Sequence, residues 1–335
     1  MPTIYEVSEL AGVSLATVSR VMNGSAKVSE KSKKKVRDAM EELGYRPNSV
    51  AISLASKRSN CIGILVAELD GAFFGSMMTG IEKTLRQYQK HVVITAGHSN
   101  DADEREGVEF LKSRNCDALV IHAEQLSDEY LIELSKGDTP IVVMNRQIDA
   151  IAEKCVSLDN VKGGYIATRH VLEKGHRQLV NIAGPKFKND AMERIVGFQQ
   201  AVNEAGIDFD ENRVFEGDYL QESGAAAIDH FVMSGIEFTG VVCGNDQMAI
   251  GAMARLREYK RLPSKDVAVI GFDDVSFAAC TYPTLTTINY PIKLMGQQAA
   301  KLVLKDVYKI GVKDIRQIYE PTLMERNSVK RLRSK

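Results

Sequence analysis

In the first sixty residues apolar positions recur at three- and four-residue steps. Ile4, Val7, Leu10 and Ala11 share one face of a predicted helix. Gly12 permits a turn in which Val13 is the sole apolar residue, and Ser14 is placed to cap a second helix by accepting a free backbone N–H. Thr17, Val18 and Val21 are helically spaced in that second helix. A third starts at Ser29, with Val36, Met40 and Leu43 as its inner stripe, and stops at Gly44 ahead of Pro47. Helix, short glycine-containing turn and helix is the pattern of a DNA-binding helix-turn-helix, the alternative being a plain three-helix bundle. After Pro47, NSVAISLASKRSN (48–60) keeps Val50, Ala51, Leu54 and Ala55 at helical spacing, yet is too short to hold a helix alone. It reads as a hinge helix that forms when docked, or else as a simple linker.

From residue 61 the pattern changes. Continuous apolar runs at 61–67, 92–96, 118–121 and 141–144 predict buried strands, separated by amphipathic stretches at 75–89, 102–113 and 128–135. It then restarts, with strands at 155–158, 179–183, 214–216, 240–243 and 267–272 and helices at 161–173, 191–205, 223–234 and 246–259. Such alternation predicts parallel sheets covered on both faces. The fold class expected is therefore α/β, two doubly wound parallel sheets forming two lobes, preceded by an all-α domain. A ligand cleft is expected beyond the carboxyl ends of the strands. That places residues 70–74, His122, Asn145, Arg146, Asn245, Asp246 and 272–274 around it.

Charge sharpens the division. Residues 1–60 hold ten Lys/Arg and six Asp/Glu, among them Lys31, Lys33, Lys34, Lys35 and Arg37 at the start of the third helix, and the remaining 275 hold 33 and 38. A basic module on an acidic body is the electrostatic footprint of nucleic-acid binding. The chain of 335 residues, 44% hydrophobic and 26% charged, has the composition of a soluble globular protein, with no run of ~20 apolar residues. MPTIYEVSEL lacks the charged start and apolar core of a signal peptide, and the five cysteines are scattered, so a cytoplasmic protein with reduced thiols is expected. The six histidines show neither HxxxH nor HxH spacing, and no metal or cofactor is expected. No phosphate loop, GxGxxG after a strand or GxSxG elbow occurs. Asp273 and Asp274 are adjacent and point apart, so no enzyme is expected.

AGVSLATVSRVMN, VSEKSKKKV, ELGYRPN and SVAISLASK resemble the lactose/galactose-repressor family of bacterial transcription regulators, and its galactose-repressor branch in particular. CDALVIHAE, VVMNR, LDNVKGGYIATRHVLEKGH, CGNDQMAIGAM, VIGFDD and YPTLTTINYPI extend the resemblance through the body, which is similar to the periplasmic sugar-binding-protein fold. The resemblance implies a helix-turn-helix domain at 1–46, a hinge at 47–60, a two-lobed effector-binding and dimerisation domain at 61–326, and a tail at 327–335 read as disordered. It also implies three crossings between lobes, near 157–160, 288–290 and 319–322.

The second helix would then enter the major groove of an operator with Leu15, Ala16 and Arg20 toward the base edges, Arg20 being able to contact guanine bidentately. The resemblance places Tyr5, Ser14, Thr17, Ser19, Asn23, Ser29 and Ser32 on phosphates, adds Asn48 to the DNA-binding set, and makes Leu54 a wedge in the minor groove. In the cleft a sugar needs aromatic faces for its C–H surface and fixed polar groups for its hydroxyls. Phe73, Phe74 and Tyr219 supply faces, with core packing as the alternative for the two phenylalanines. Asn145, Arg146, Arg194, Asn245 and Asp273 supply polar groups, and His122, Asp70 and Asp190 are further candidates. By resemblance Arg194 is the central effector-binding arginine, opposite Asp273, in place of an exposed ion-paired residue. Gly71 and Ala72 stand where the branch usually has Asp-Pro, so the resemblance does not fix the sugar.

A cation, a carboxylate and amides together suit a neutral polyhydroxyl ligand; a sugar phosphate would want clustered Arg/Lys. The expectation is a regulator, a repressor released from a palindromic operator by galactose or a related hexose or glycoside. NSVKRLRSK carries no leucine heptads, which implies a homodimer and not a tetramer. The alternatives are an activator or corepressor-type regulator, a periplasmic sugar-binding protein, or a doubly wound kinase or dehydrogenase.

Overall fold

The computed structural model describes residues 2–22, 28–46 and 58–332. The chain divides into two units, Met1–Cys61 and Ile62–Lys335. Asn23, Asn48 and Leu54, with most of the expected hinge, lie outside the described residues.

In the first unit, α1 (Ile4–Ala11), α2 (Leu15–Met22) and α3 (Glu30–Glu42) pack around Val7, Ala11, Val18, Val36 and Ala39. Thr3 starts α1 with a reciprocal cap: its side chain accepts the Glu6 N–H while its own N–H donates to the Glu6 carboxylate at 2.6 Å. Gly12, at φ 62, ends α1 in the left-handed region that glycine enters at no steric cost. Ser14 Oγ accepts the Thr17 N–H at 3.3 Å, the cap expected for α2. Leu10, expected inside, is 46% exposed. It lies roughly 60° round the helix from Val7, off the Ile4–Val7–Ala11 stripe that meets α3.

The second unit holds two six-stranded sheets. β1 (Cys61–Val66), β2 (His91–Ala96), β3 (Ala118–Ile121), β4 (Ile141–Met144), β5 (Cys155–Leu158) and β11 (Ile318–Tyr319) form the first, in the order β11-β5-β4-β3-β1-β2. β6 (Leu179–Ala183), β7 (Val214–Glu216), β8 (Gly240–Cys243), β9 (Ala268–Asp273), β10 (Thr286–Asn289) and β12 (Thr322–Met324) form the second, in the order β12-β10-β9-β8-β6-β7. The pairings within β1–β3–β4–β5 and β7–β6–β8–β9–β10 are parallel, and β12 alone runs antiparallel to β10 among the described pairings. The central strands are buried at almost every position, as their unbroken apolar runs require.

The chain passes between lobes three times: after β5, between β10 and the helix Ile292–Asp306, and between β11 and β12. That helix packs against Ala72–Arg86 of the first lobe; it and the three last strands are absent from the elements read off the apolar pattern. The expected disordered tail is corrected in part. Ser328 is fully buried, accepts the Thr286 N–H at 2.8 Å and donates to the Val269 carbonyl at 2.6 Å. The Leu332 N–H reaches the Lys174 carbonyl at 2.8 Å. A stretch poor in apolar residues is ordered here by hydrogen bonds to the starts of β9 and β10 and by burying Val329.

Candidate functional site

In the first unit the residues expected on DNA are mostly at the surface. Tyr5 is 68% exposed and Leu15 37%; Ser14, Ala16, Arg20 and Ser29 are also exposed, while Thr17, Ser19 and Ser32 are half-buried. Ala16 and Arg20, four residues apart, share the face of α2 opposite the buried Val18. Two hydroxyl pairs sit at helix starts, Ser14 with Thr17 at 2.9 Å and Ser29 with Ser32 at 3.0 Å. Backbone N–H groups and hydroxyls at helix N-termini are suited to phosphate oxygens.

In the second unit a cavity of about 130 Å³ lies between the carboxyl ends of the two sheets. Loops after β1, β3 and β4 form one wall and loops after β6, β7, β8 and β9 the other. It is lined by Asp70, Phe73, Phe74, His122, Asn145, Asp190, Arg194, Tyr219, Asn245 and Asp273, ten of the eleven residues expected there. The exception is Arg146. Its guanidinium bonds the Leu126 carbonyl at 2.6 Å and Asp128 at 3.2 Å, away from the cavity. β4 ends at Met144, and the left-handed turn at Asn145 separates the two side chains, Asn145 lining the cavity and Arg146 bonding the loop at 126–128.

Arg194 sits on the helix Asn189–Glu204, which crosses the helix Asn160–Glu173 at a pair of glycines. A Cβ on Gly164 would lie 2.2 Å from the Arg194 carbonyl, and one on Gly197 2.1 Å from the Val161 carbonyl. Only glycine permits this approach, and it fixes the depth of Arg194. The guanidinium is buried; Nε donates to Asn160 Oδ1 at 3.1 Å, Nη1 to the Gly244 carbonyl at 2.6 Å, and Nη2 pairs with Asp190 at 3.2 Å. It stacks 3.9 Å from the Phe272 ring centroid. Burial works against this charge, but the Tyr219 oxygen and the carboxylates of Asp190 and Asp273 outweigh it and raise the pKa above the ordinary value. The direct ion-pair partner is thus Asp190, with Asp273 acting at longer range. Asp273 itself is pushed well above the carboxylate range by burial, against the pull of Arg194.

Several lining residues are held in left-handed backbone: Asn145 at φ 60, Tyr219 at φ 69 and Asp273 at φ 109. For a non-glycine residue this conformation stores strain, and it sets where each side chain points. Asn145 Oδ1 accepts the Tyr290 hydroxyl, which leaves its NH₂ for a ligand. Asn245 is largely consumed: its oxygen caps a helix at the Met248 N–H (2.9 Å) and its NH₂ donates to the Tyr219 carbonyl (2.9 Å).

The apolar wall is a cluster of edge-to-face rings. Phe73 meets Phe74 at 5.3 Å and Tyr290 at 5.0 Å, and Phe74 meets His122 at 5.3 Å between centroids. The two phenylalanines both line the cavity and pack on the core, so the two readings hold together. His122 is 2% exposed, and among the described residues neither ring nitrogen has a hydrogen-bond partner. Burial lowers its pKa and favours the neutral ring, which carries one donor and one acceptor.

Three further residues complete the site. Glu104 is fully buried, and its carboxylate accepts the N–H groups of Glu124, Gln125 and Leu126 at 2.8–3.0 Å, holding the loop after β3. Glu124 from that loop pairs with Lys188 of the second lobe at 2.5 Å beside the cavity. The strand-end rule could have found Glu124, two residues past His122. Lys188 and Glu104 carry no signal, because a charged residue in a loop or on an amphipathic helix looks solvent-facing in sequence.

Comparison with known proteins is consistent across the length of the chain. Residues 3–48 match the model of bacterial regulatory proteins of the lacI family, and residues 59–327 that of periplasmic binding proteins and the sugar-binding domain of the LacI family. The chain is similar to the HTH-type transcriptional regulator GalR of Salmonella typhimurium (strain LT2), 37% identical over 329 residues, 98% of this chain and 96% of that protein. Among solved structures it is similar to the lac repressor dimer bound to operator and the anti-inducer ONPF, at TM-score 0.87 and 29% identity, covering 98% of this chain and 99% of that one. The complex of the transcriptional regulator CelR with cellobiose matches at TM-score 0.72 and 30% identity, covering 98% of this chain and 100% of that one.

Proposed function

Since the chain belongs to the LacI family of bacterial regulatory proteins, we propose that it is a repressor that binds a palindromic operator as a homodimer and leaves it when a neutral sugar fills the cavity. The chain is a DNA-binding transcriptional regulator and not an enzyme. The observation that carries the finer reading is the cavity between the lobes. There a buried guanidinium held by Asn160, Asp190 and the Gly244 carbonyl faces Asp273 and the neutral His122, beside the rings of Phe73 and Phe74. Fixed donors and acceptors opposite apolar ring faces suit a pyranose, whose hydroxyls both donate and accept and whose C–H face is apolar. About 130 Å³ is room for on the order of ten water-sized groups, the scale of one sugar ring.

Galactose or a related hexose or glycoside is the first candidate, on the resemblance of the motifs to the galactose-repressor branch. The protein acts in the cytoplasm, where its operator is. Sugar and operator prefer different lobe arrangements, and such coupling is typically ~1–3 kcal/mol and reciprocal. The test is a thermal-shift screen against mono- and disaccharides, followed by binding to an operator selected from random duplexes, with and without the sugar found. A neutral sugar is expected to raise the melting temperature and weaken operator binding. A panel in which no neutral sugar does either overturns the reading.

A further inference from the structure

We propose that Glu124 and Lys188 decide the charge of the effector, excluding anionic sugars from the cavity by keeping its accessible ammonium occupied; this rests on the sugar reading above. Glu124 comes from the first lobe, on the loop that the Glu104 carboxylate pins by three backbone N–H groups. Lys188 comes from the second, immediately before the helix that carries Arg194. The two charged groups meet at 2.5 Å with side chains only 11% and 12% exposed, and both line the cavity. Ser99 donates its hydroxyl to the same carboxylate oxygen, and the ammonium lies 5.3 Å from the Tyr219 ring centroid. The pair is therefore fixed at both ends.

The permanent cations of the lining are Arg194 and Lys188, and each is already matched by a carboxylate, Asp190 and Glu124. Glu68, Asp70 and Asp218 add negative charge with no cation to spare. A carboxylate or phosphate on an entering sugar meets this acidic wall. It gains Lys188 only by breaking a nearly buried pair, which leaves the Glu124 charge with the Ser99 hydroxyl and no cation. A neutral hydroxyl bears neither cost. Removing the charge of Glu124 while keeping its shape should reverse the preference, because a glutamine oxygen still accepts from Ser99 and Lys188 while the ammonium charge is left unmatched.

The experiment uses the 335-residue chain and two ligand pairs that differ only at C6, galactose with galacturonate and glucose with glucuronate, titrated calorimetrically. Wild type is expected to bind one of the neutral hexoses at least about tenfold more tightly than its uronate. Glu124→Gln is expected to shift that ratio toward the uronate by about tenfold or more, whatever the change in hexose affinity itself. Adding Lys188→Gln should abolish the gained uronate binding while an unchanged melting temperature reports the fold. A Glu124→Gln protein that holds the wild-type ratio, or a wild type indifferent to the carboxylate, overturns the selector with hexose binding intact. A wild type that binds no neutral sugar of the mono- and disaccharide screen overturns the sugar reading, and the selector with it.

Discussion

On the first lobe the cavity wall is made of rings: Phe73, Phe74 and His122, set edge to face, with Asn145 beside them. On the second lobe, built on the same strand order, it is made of charged and polar groups: the Arg194–Asp190 pair and the buried carboxyl of Asp273, with Tyr219 reaching Asp190 through its hydroxyl at 3.2 Å. Equivalent backbone positions carry opposite chemistry. Rings give shape at little desolvation cost and discriminate weakly. A buried guanidinium and carboxylates are costly to leave unmatched, so they discriminate strongly. The second lobe should therefore decide whether a sugar binds and the first which one.

The hardest blow to that division is Arg194→Ala. Loss of the guanidinium leaves Asp190 and Asn160 without their partner and is expected to cost ~2–5 kcal/mol in sugar affinity while operator binding persists. An Arg194→Ala protein released from operator at wild-type sugar concentrations would remove the arginine from the site. Next is Gly164→Ala, which touches no ligand. The added Cβ must push away the Arg194 carbonyl, so it should cost ~1–3 kcal/mol of stability by overpacking and weaken sugar binding as well. Denaturant melts and calorimetry separate the two effects. Phe73→Leu is smaller, about 1 kcal/mol, and should alter the ranking among related hexoses and glycosides more than the affinity for any one. Equal losses across the panel would place specificity elsewhere.

The subtlest contrast lies between two buried carboxyls. Glu104 in the first lobe accepts three backbone N–H groups; Asp246 in the second accepts the Val275 N–H at 2.9 Å and the Thr287 hydroxyl at 2.5 Å. Burial raises both, and Asp246 to about 7. Between the unfolded value near 4 and 7 the folded state holds the Asp246 proton and the unfolded state does not. Stability from this group is therefore present at low pH and falls as pH rises through that window. Asp246→Asn, whose amide can donate to Thr287 and accept from Val275, should flatten the decline of melting temperature from pH 4 to 7 relative to wild type. Parallel curves would mean that Asp246 is ionised throughout.

Strand ends were legible because an unbroken apolar run must stop where the chain leaves the sheet, and the topology puts those stops around the cavity. His122, Asn145 and Asp273 follow from that rule alone. Arg194 does not. At the start of an amphipathic helix it looks like a surface arginine, and only the family resemblance put it at the centre. What stayed hidden shares one cause. Glu104 and Lys188 find their partners in the backbone or in Glu124 across long sequence separations, and local pattern records polarity, not whether the partner is water. Ser328 in the tail is the same case at smaller scale.

The three crossings also order events during synthesis. The first lobe is not complete without the helix Ile292–Asp306 and β11, which are made after nearly all of the second lobe. The second lobe in turn waits for β12 and for Ser328. Until residues 292–324 are made, the first sheet lacks the helix that covers part of one face and its edge strand β11, and the second lacks its edge strand β12, so both keep an unpaired edge through most of elongation. Among the described residues the core of the three-helix unit is drawn from residues 4–45. A nascent chain thus acquires its DNA-reading surface long before it has a cavity, and the half-made body is the stretch of its life in which aggregation competes hardest with folding.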